Sequence, residues 1–430
     1  MKNLLHIKLM LLFVVFSASA QQEKGIIGAN NWLDNWTEFK PSKTEYNDTN
    51  QILSGKITVN TTLFKKDTYL LMGPVYVTNN AVLTIEPGTT IKGDYETSAA
   101  LIITKGAKIM AEGLATDPIV FTSNRPVKKG GDWGGLVILG DAPMNKFGGS
   151  SSINFELDPT FTIYGGTNSQ GSSGVLKFLR IEFAGKKIKG FKDFNALSLA
   201  GIGNKTIINN IMCSFSAANS FEILGGDIVA SNLVSLRSSG DDFRFTQGTQ
   251  CKMDNILAVR HSLYSSSTRS RCMNVLSYDK LEESDFSKPM TNVAIMNSTL
   301  VNSTENLSSD IASNLVKEGI FIGNNAAFSL KRSIISGFKP AAVLAQDVKL
   351  DKSTFDKVQF KETYFNSCTG NIFVENVANN EDIEDYYGNV QFNNVYQSTD
   401  NKDMFLDIYN AKNNPDFRIK ISNITASNSK

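Results

Sequence analysis

The 430-residue sequence predicts an all-β solenoid, a parallel β-helix, and three observations carry that prediction. Short apolar runs rich in β-branched and aromatic residues recur along the chain, each closed by Gly, Asn, Asp or Ser. An Asn followed by two apolar residues returns at Asn210, Asn232, Asn255, Asn274 and Asn292, a repeat of nearly constant spacing. Self-similarity of this kind is the mark of a stacked coil. The Asn-Gly and Asp-Gly dipeptides that favour β-hairpins, and with them a sandwich, are absent.

Four segments follow in chain order. Residues 1–20 read as a signal peptide: Lys2 and Lys8 flank a basic start, Leu9 to Phe16 is apolar but too short to span a bilayer, and Ala18-Ser19-Ala20 precedes a cleavage point at Gln21. Export follows, to the periplasm, the outer membrane or the cell surface. No Cys follows the apolar run to carry a lipid, and no later stretch reads as a transmembrane helix. Residues 21–60, with Trp32, Trp36, Phe39 and Tyr46 among polar residues, are expected to cap one end of the solenoid. Residues 61–380 form the coil. Strands are expected around Val75–Val77, Val82–Ile85, Leu101–Ile103, Ile119–Phe121, Leu136–Leu139 and Phe178–Phe183. The run from Val82 to Ile91 aligns, position by position, with the run from Ala100 to Ile109, which suggests one rung. Asp310–Lys317 and Asp382–Tyr387 are weak candidates for short helical turns. Residues 381–430 close the other end.

Composition narrows the function. Lys and Arg number 43 against 42 Asp and Glu, a formal charge of +1, which argues against a nucleic-acid binder. Loss of Lys2 and Lys8 would take the charge to −1, and loss of His6 would leave His261 as the one histidine. Cys213, Cys251, Cys272 and Cys368 form no C-x-x-C pair, so no zinc or redox motif is present. Cys251 and Cys272 are separated by about one rung, within reach of a disulfide; buried free thiols are the favoured alternative.

Few residues offer chemistry. Gly130-Gly131-Asp132-Trp133-Gly134-Gly135 lacks the Lys-Ser/Thr and helix of a phosphate loop, and reads as tight turns with Trp133 packed over the coil. Asp241 and Asp242 are a carboxylate pair of the kind glycoside hydrolysis uses, and Arg418-Ile419-Lys420 is similar to the substrate-binding tripeptide of polygalacturonases. No His-Gly pair lies between them, and the reading as a turn before the strand Phe243-Arg244-Phe245 is preferred. A lyase would need Lys, Arg or His as base, with Ca²⁺ held by clustered carboxylates; Asp227, Asp241 and Asp242 could meet on successive rungs, as could Arg237, Arg244 and Arg260. His261 beside Arg260, with Arg269 and Arg271, could bind an anion, although a plain loop rich in Ser and Arg is the preferred reading. Lys186, Lys187, Lys189 and Lys192, near Phe191 and Phe194, form a basic cluster that could touch an anionic glycan or a membrane surface, an exposed loop with solubilising lysines being the default reading. The ligand-binding candidates are therefore Asp241, Asp242, Arg244, Arg260 and His261. No catalytic residue, metal ligand or cofactor is assigned, Ca²⁺ entering only with the lyase reading.

The runs Leu70–Thr78, Leu83–Asp94, Gly106–Gly113, Pro118–Thr122 and Gly131–Gly140, with Leu179–Gly185 and Phe221–Gly226, resemble a family of secreted Bacteroidota proteins. The resemblance covers about residues 50 to 375. It implies a right-handed parallel β-helix at the outer membrane or outside the cell, and brings no established reaction. Two departures stand out. An acidic pair usual just before the Phe221 motif is replaced by Ala217-Ala218-Asn219-Ser220, and the later acidic run survives only as Asp241-Asp242. The C-terminal secretion domain of many relatives has no counterpart; the end of this chain resembles the solenoid's own tail.

The expectation is an exported, non-enzymatic binding or structural protein of the cell envelope. It would present a strand face to a glycan or to an outer-membrane complex such as a TonB-dependent transporter. The alternative is a polysaccharide lyase or glycoside hydrolase acting on acidic glycans.

Overall fold

The computed structural model describes residues 24–26, 31–265, 270–323, 325–345, 352–368, 373–374, 380–410 and 414–420. The predicted signal peptide and Arg269 lie outside them.

One turn of the coil explains the rest. Asp227–Leu236 runs along face A, bends at Asn232, and continues along face B. A corner leads to face C, the strand Phe243–Thr246, and a second corner leads back to face A in Gln250–Arg260. Each strand pairs in parallel with its copy one turn later, so Leu233 pairs with Ile256 and Phe221 with Phe243. Among the described residues twenty-six strands join this way into one right-handed parallel β-helix. The expected strands are present, for example Val82–Ile85, Ile119–Ser123 and Gly135–Leu139.

The bend between faces A and B needs a positive φ, and Asn meets it at low cost. Asn210, Asn232, Asn255 and Asn297 have φ of 52°, 57°, 56° and 53°. Their amides climb the coil: Asn232 Nδ2 donates to Asn209 Oδ1 at 3.1 Å, Asn255 Nδ2 to Asn232 Oδ1 at 3.0 Å, and Asn297 Nδ2 to Asp254 Oδ1 at 2.6 Å. Asn274 and Asn292, expected on this ladder, are elsewhere. Asn274 points outward from face C, and Asn292 opens the strand Asn292–Asn302 opposite Gln250. The rung after Asn255 carries an excursion, so Ile256 finds its partner only at Ser298. The alignment of Val82–Ile91 with Ala100–Ile109 is also not a rung. Leu83 pairs with Ile109 on face A and Val75 with Leu101 on face C, so the aligned runs lie on different faces. The same geometry bears out the favoured free thiols over a Cys251–Cys272 disulfide: Cys251 pairs with Val293, Cys272 lies at the corner before face C, and all four cysteines are free.

Inward positions fill the lumen with apolar side chains; Phe221 and Phe243 stack with centroids 4.7 Å apart. Trp133 is fully buried there, and a Cβ on Gly93 would fall 2.6 Å from it. The outward side of face B is apolar as well, at Met212, Val234, Leu257, Ile334 and Tyr364. The chain's own ends cover it. Gly25 N–H bonds Arg332 O, Trp36 O accepts from Arg180 Nε at 2.6 Å, and Tyr46 reaches Glu182, so residues 24–26 and 31–50 form a strap from the late rungs to the early ones. The hairpin of Phe405–Asp407 and Asp416–Ile419 lies on the same face, with Phe417 5.7 Å from Phe39. Trp36 and Phe39, expected in an end cap, therefore pack along the side. The helix Asn380–Gly388 does close the far end of the lumen, with Ile383 and Tyr387 in the core, and a second short helix is Leu307–Ala312.

Two expected outcomes follow from this architecture. Glu182 is fully buried beneath the strap, accepts from Tyr46 OH at 2.9 Å, and has its carboxyl pushed up to about 7 by burial, against the pull of Thr122, Tyr46 and Arg180. The unfolded chain ionises this group near its ordinary 4.5, so stability is greatest below that pH and falls by about 3 kcal/mol as pH rises through about 7. Glu182→Gln should flatten that window in urea denaturation. At the bend, Asn255→Ala should cost about 1–2 kcal/mol for the left-handed backbone alone, and Asn255→Gly less, as measured by the same denaturation.

Candidate functional site

The outward side of face C changes from apolar to polar part-way along the coil. Its outward positions run Tyr76, Ile102, Val137, Ser198, Glu222, Arg244, Asn274, Phe321 and Val343. The two loops between Leu139 and Leu197, on either side of the coil strand Gly174–Glu182, form an excursion that folds over the first, apolar part of this stripe with Met144, Ile153, Phe155, Tyr164 and Phe194. It ends where the stripe turns polar. The later loop before Asn292 meets it there through Lys146 and Glu283, 2.7 Å apart, and Lys192 and Asp279, 3.6 Å apart.

A cleft of about 200 Å³ remains at this edge. Lys187, Lys192 and Asp193 come from the excursion, Ala217 to Asn219 and Gly240 from the corners, and Glu222 and Arg244 from face C. Glu222 and Arg244 are stacked neighbours on adjacent strands, with Arg244 Nε 3.3 Å from Glu222 Oε1. Arg244 Nη2 donates to Asp279 Oδ1 at 2.6 Å. The network continues on both sides: Asn195 Nδ2 donates to Glu222 Oε2 at 2.6 Å, Gln247 Nε2 to Asp279 Oδ2 at 3.2 Å, and Tyr164 OH to Gln247 Oε1 at 2.7 Å. Burial works against the charge on Arg244, but Glu222 and Asp279 outweigh it and hold the guanidinium more firmly protonated. Asp279, although half-buried, is held below its ordinary range by Arg244 and Lys192.

The candidates drawn from the sequence separate. Arg244 lines the cleft. Asp241 does not face it as a free acid: its Oδ1 accepts from Arg271 N–H at 3.1 Å and its Oδ2 from Asn274 Nδ2 at 2.7 Å. Its own N–H bonds Asn219 Oδ1, and Asn219 N–H bonds Asn195 Oδ1, so Asp241 is one step of a side-chain ladder that stitches the corner between faces B and C. Asp242 is fully buried, accepts from Ser235 Oγ at 2.5 Å, and lies 3.0 Å from Arg260 Nη1. Arg260 is itself buried and donates to Ser238 O at 3.0 Å. Asp227 pairs with Asn204 at face A, and Arg271 with Glu318 at 2.5 Å, so the expected carboxylate and arginine ladders do not form. His261 lies beyond the B-to-C corner, half-exposed, in a separate crevice. Of the basic cluster, Lys187 and Lys192 reach the cleft, while Lys186 is tied to Tyr95 O and Phe194 is buried on Phe155. Arg418 pairs with Asp416 in the terminal hairpin. Glu222 and Asp279 were not read from the sequence. A signal for Glu222 does exist there: Phe221-Glu222-Ile223-Leu224 and Phe243-Arg244-Phe245-Thr246 align one rung apart, which stacks an acid on a base.

Among the described residues no group of three His, Cys, Asp or Glu side chains is placed to hold a metal ion. No helix there is long and apolar enough to cross a membrane.

Residues 55–413 match the model of the pectate-lyase-like β-helix domain. The chain belongs to that family. A search of curated proteins gave no match. Two solved structures are similar in outline. The pectate lyase Pel9A is 12% identical with a TM-score of 0.37, over 77% of this chain and 78% of its own. An alginate lyase from Paenibacillus sp. str. FPU-7 is 8% identical with a TM-score of 0.27, over 74% and 91%. In this member of the pectate-lyase-like β-helix family, Ala217 and Ala218 lie in the cleft wall, at the segment where the resemblance led one to expect acids.

The buried network sets its own test. Arg244→Met should destabilise the fold by about 3–5 kcal/mol, because Glu222 loses its cation and Asp279 keeps only the more distant Lys192. Adding Glu222→Gln and Asp279→Asn should restore most of that loss, measured by urea denaturation.

Proposed function

We propose that this chain is a non-enzymatic saccharide-binding protein of the cell envelope, holding one sugar residue of a glycan in the face C cleft. The observation that carries this reading is the engagement of the cleft's charges. Arg244 sits between two carboxylates and is held charged, which removes it as a proton-abstracting base. Glu222 and Asp279 both spend oxygens on Arg244, where hydrolysis asks for an acid and a base free to act on the substrate. What faces the opening is a set of fixed donors and acceptors, suited to sugar hydroxyls. The size agrees: about 200 Å³ lies below the range of roughly 300–1,000 Å³ usual for small-molecule pockets, room for a single polar unit rather than a bound polymer.

The family description supports the second reading, a lyase or hydrolase acting on acidic glycans. Export by the signal peptide and association with an outer-membrane complex, such as a TonB-dependent transporter, complete the first. The experiment is a calorimetric screen of neutral and acidic oligosaccharides, run beside an assay for unsaturated or reducing ends. Saturable binding without turnover is expected, weakened at least tenfold by Lys192→Ala with the melting temperature held. Turnover that Glu222→Gln or Arg244→Lys abolishes would overturn the binding reading in favour of the enzyme. Affinity purification from the native envelope should recover an outer-membrane protein; recovery of the chain from the cytoplasmic fraction alone would sink the envelope assignment.

A further inference from the structure

A second crevice, of about 210 Å³, opens beyond the corner between faces B and C, where the terminal hairpin and the strap approach the coil. Arg237, His261, Lys40, Glu305, Tyr409 and Phe417 are among its lining side chains. Arg237 occupies a bend with φ 52° and lies over the Tyr264 ring at 5.3 Å, which fixes its guanidinium plane. The guanidinium is in an unusual state for a half-buried cation. Among the described residues it has no hydrogen-bond acceptor and no carboxylate within ion-pair distance, and its Nε is buried without a partner. Buried or partly buried cations are ordinarily paired, and arginine presents a fork of donors that matches an oxyanion. His261 adds a donor. Its Nδ1 accepts from Leu263 N–H at 3.3 Å, so the neutral ring carries its proton on Nε2.

We propose that Arg237 and His261 form a binding site for a small oxyanion, a carboxylate or sulfate such as an acidic saccharide carries. The exposed Tyr409 ring gives the body of the ligand an apolar wall, and Glu305 is the one carboxylate among the described lining residues. The site is separate from the face C cleft and stands whether or not that cleft binds sugar. It also revises the anion patch expected at Arg260 and His261: Arg260 is consumed by Asp242, and Arg237 takes its place.

His261 supplies the probe, since the sequence holds only one other histidine, His6. Its imidazole signal in proton–carbon correlation spectra, assigned with His261→Gln, reports directly on the crevice. The ring is held below its ordinary range by burial and by the Arg237 charge, with Asp310 and Glu305 pulling the other way. An anion on Arg237 should therefore raise the pH at which this signal titrates. The probes are sodium galacturonate, inorganic sulfate, inorganic phosphate and neutral galactose. The expected result is a saturable shift with at least one oxyanion and none with galactose. Arg237→Gln should weaken it at least tenfold, Arg237→Lys should retain part of it, and Lys192→Ala should leave it unchanged. The strongest of the three oxyanions identifies the group recognised, and a melting curve shows that each variant is folded. No saturable shift with any oxyanion, an equal shift with galactose, or an unchanged shift in folded Arg237→Gln would overturn the site.

Discussion

An outward apolar surface on a parallel coil must be covered, and that constraint shapes most of this molecule. Strands stacked in parallel satisfy their backbone groups without help, and their inward side chains fill the lumen. Face B, however, also turns Met212, Val234, Leu257 and Ile334 outward. Burying such side chains is worth about 1.5–3 kcal/mol each. The N-terminal strap and the terminal hairpin provide that burial. They tie early rungs to late ones, so segments far apart in sequence become one cooperative layer.

The same constraint places the candidate site. On face C the apolar outward positions beneath the excursion are confined to the early rungs, and the excursion extends only as far as they do. The cleft is the edge of that cover, where Glu222 and Arg244 begin. There the network from Tyr164 to Asn195 holds its charges in mutual contact at partial burial. Such an arrangement is costly to leave half-made and rigid once complete, which suits a surface that recognises a fixed pattern of hydroxyls. A catalytic pair would ask for the opposite, a group kept away from its counter-ion.

Much of the coil was legible in the sequence, and the positions that misled share a cause. Asn210, Asn232 and Asn255 mark true bends, because few residues other than Gly adopt a positive φ so readily. Asn274 and Asn292 fit the same pattern and sit elsewhere, because a long excursion resets the spacing and the next true bend is Asn297. The doublet after each bend, as in Asn232-Leu233-Val234, hinted at burial on both sides of face B, although nothing local says that the chain ends supply the outer cover. The acidic pair stood out by charge alone. Asp241 and Asp242 are buried to stitch a corner, whereas Glu222, hidden inside an apolar strand, faces the cleft.

By itself the sequence determined what is periodic: the strand runs, the left-handed Asn bends and the parallel solenoid. Each of these depends on a residue's own backbone preference and on a repeat that can be counted. Apart from the stacked pair Glu222 and Arg244, only the tertiary structure decided which charges meet. Arg244 finds Asp279, and Arg237 finds no carboxylate among the described residues, through loops whose path is set by the apolar surface beneath them and by the lengths of the excursions. Contacts of that kind carry no period, and so leave no trace that the chain's own pattern can reveal.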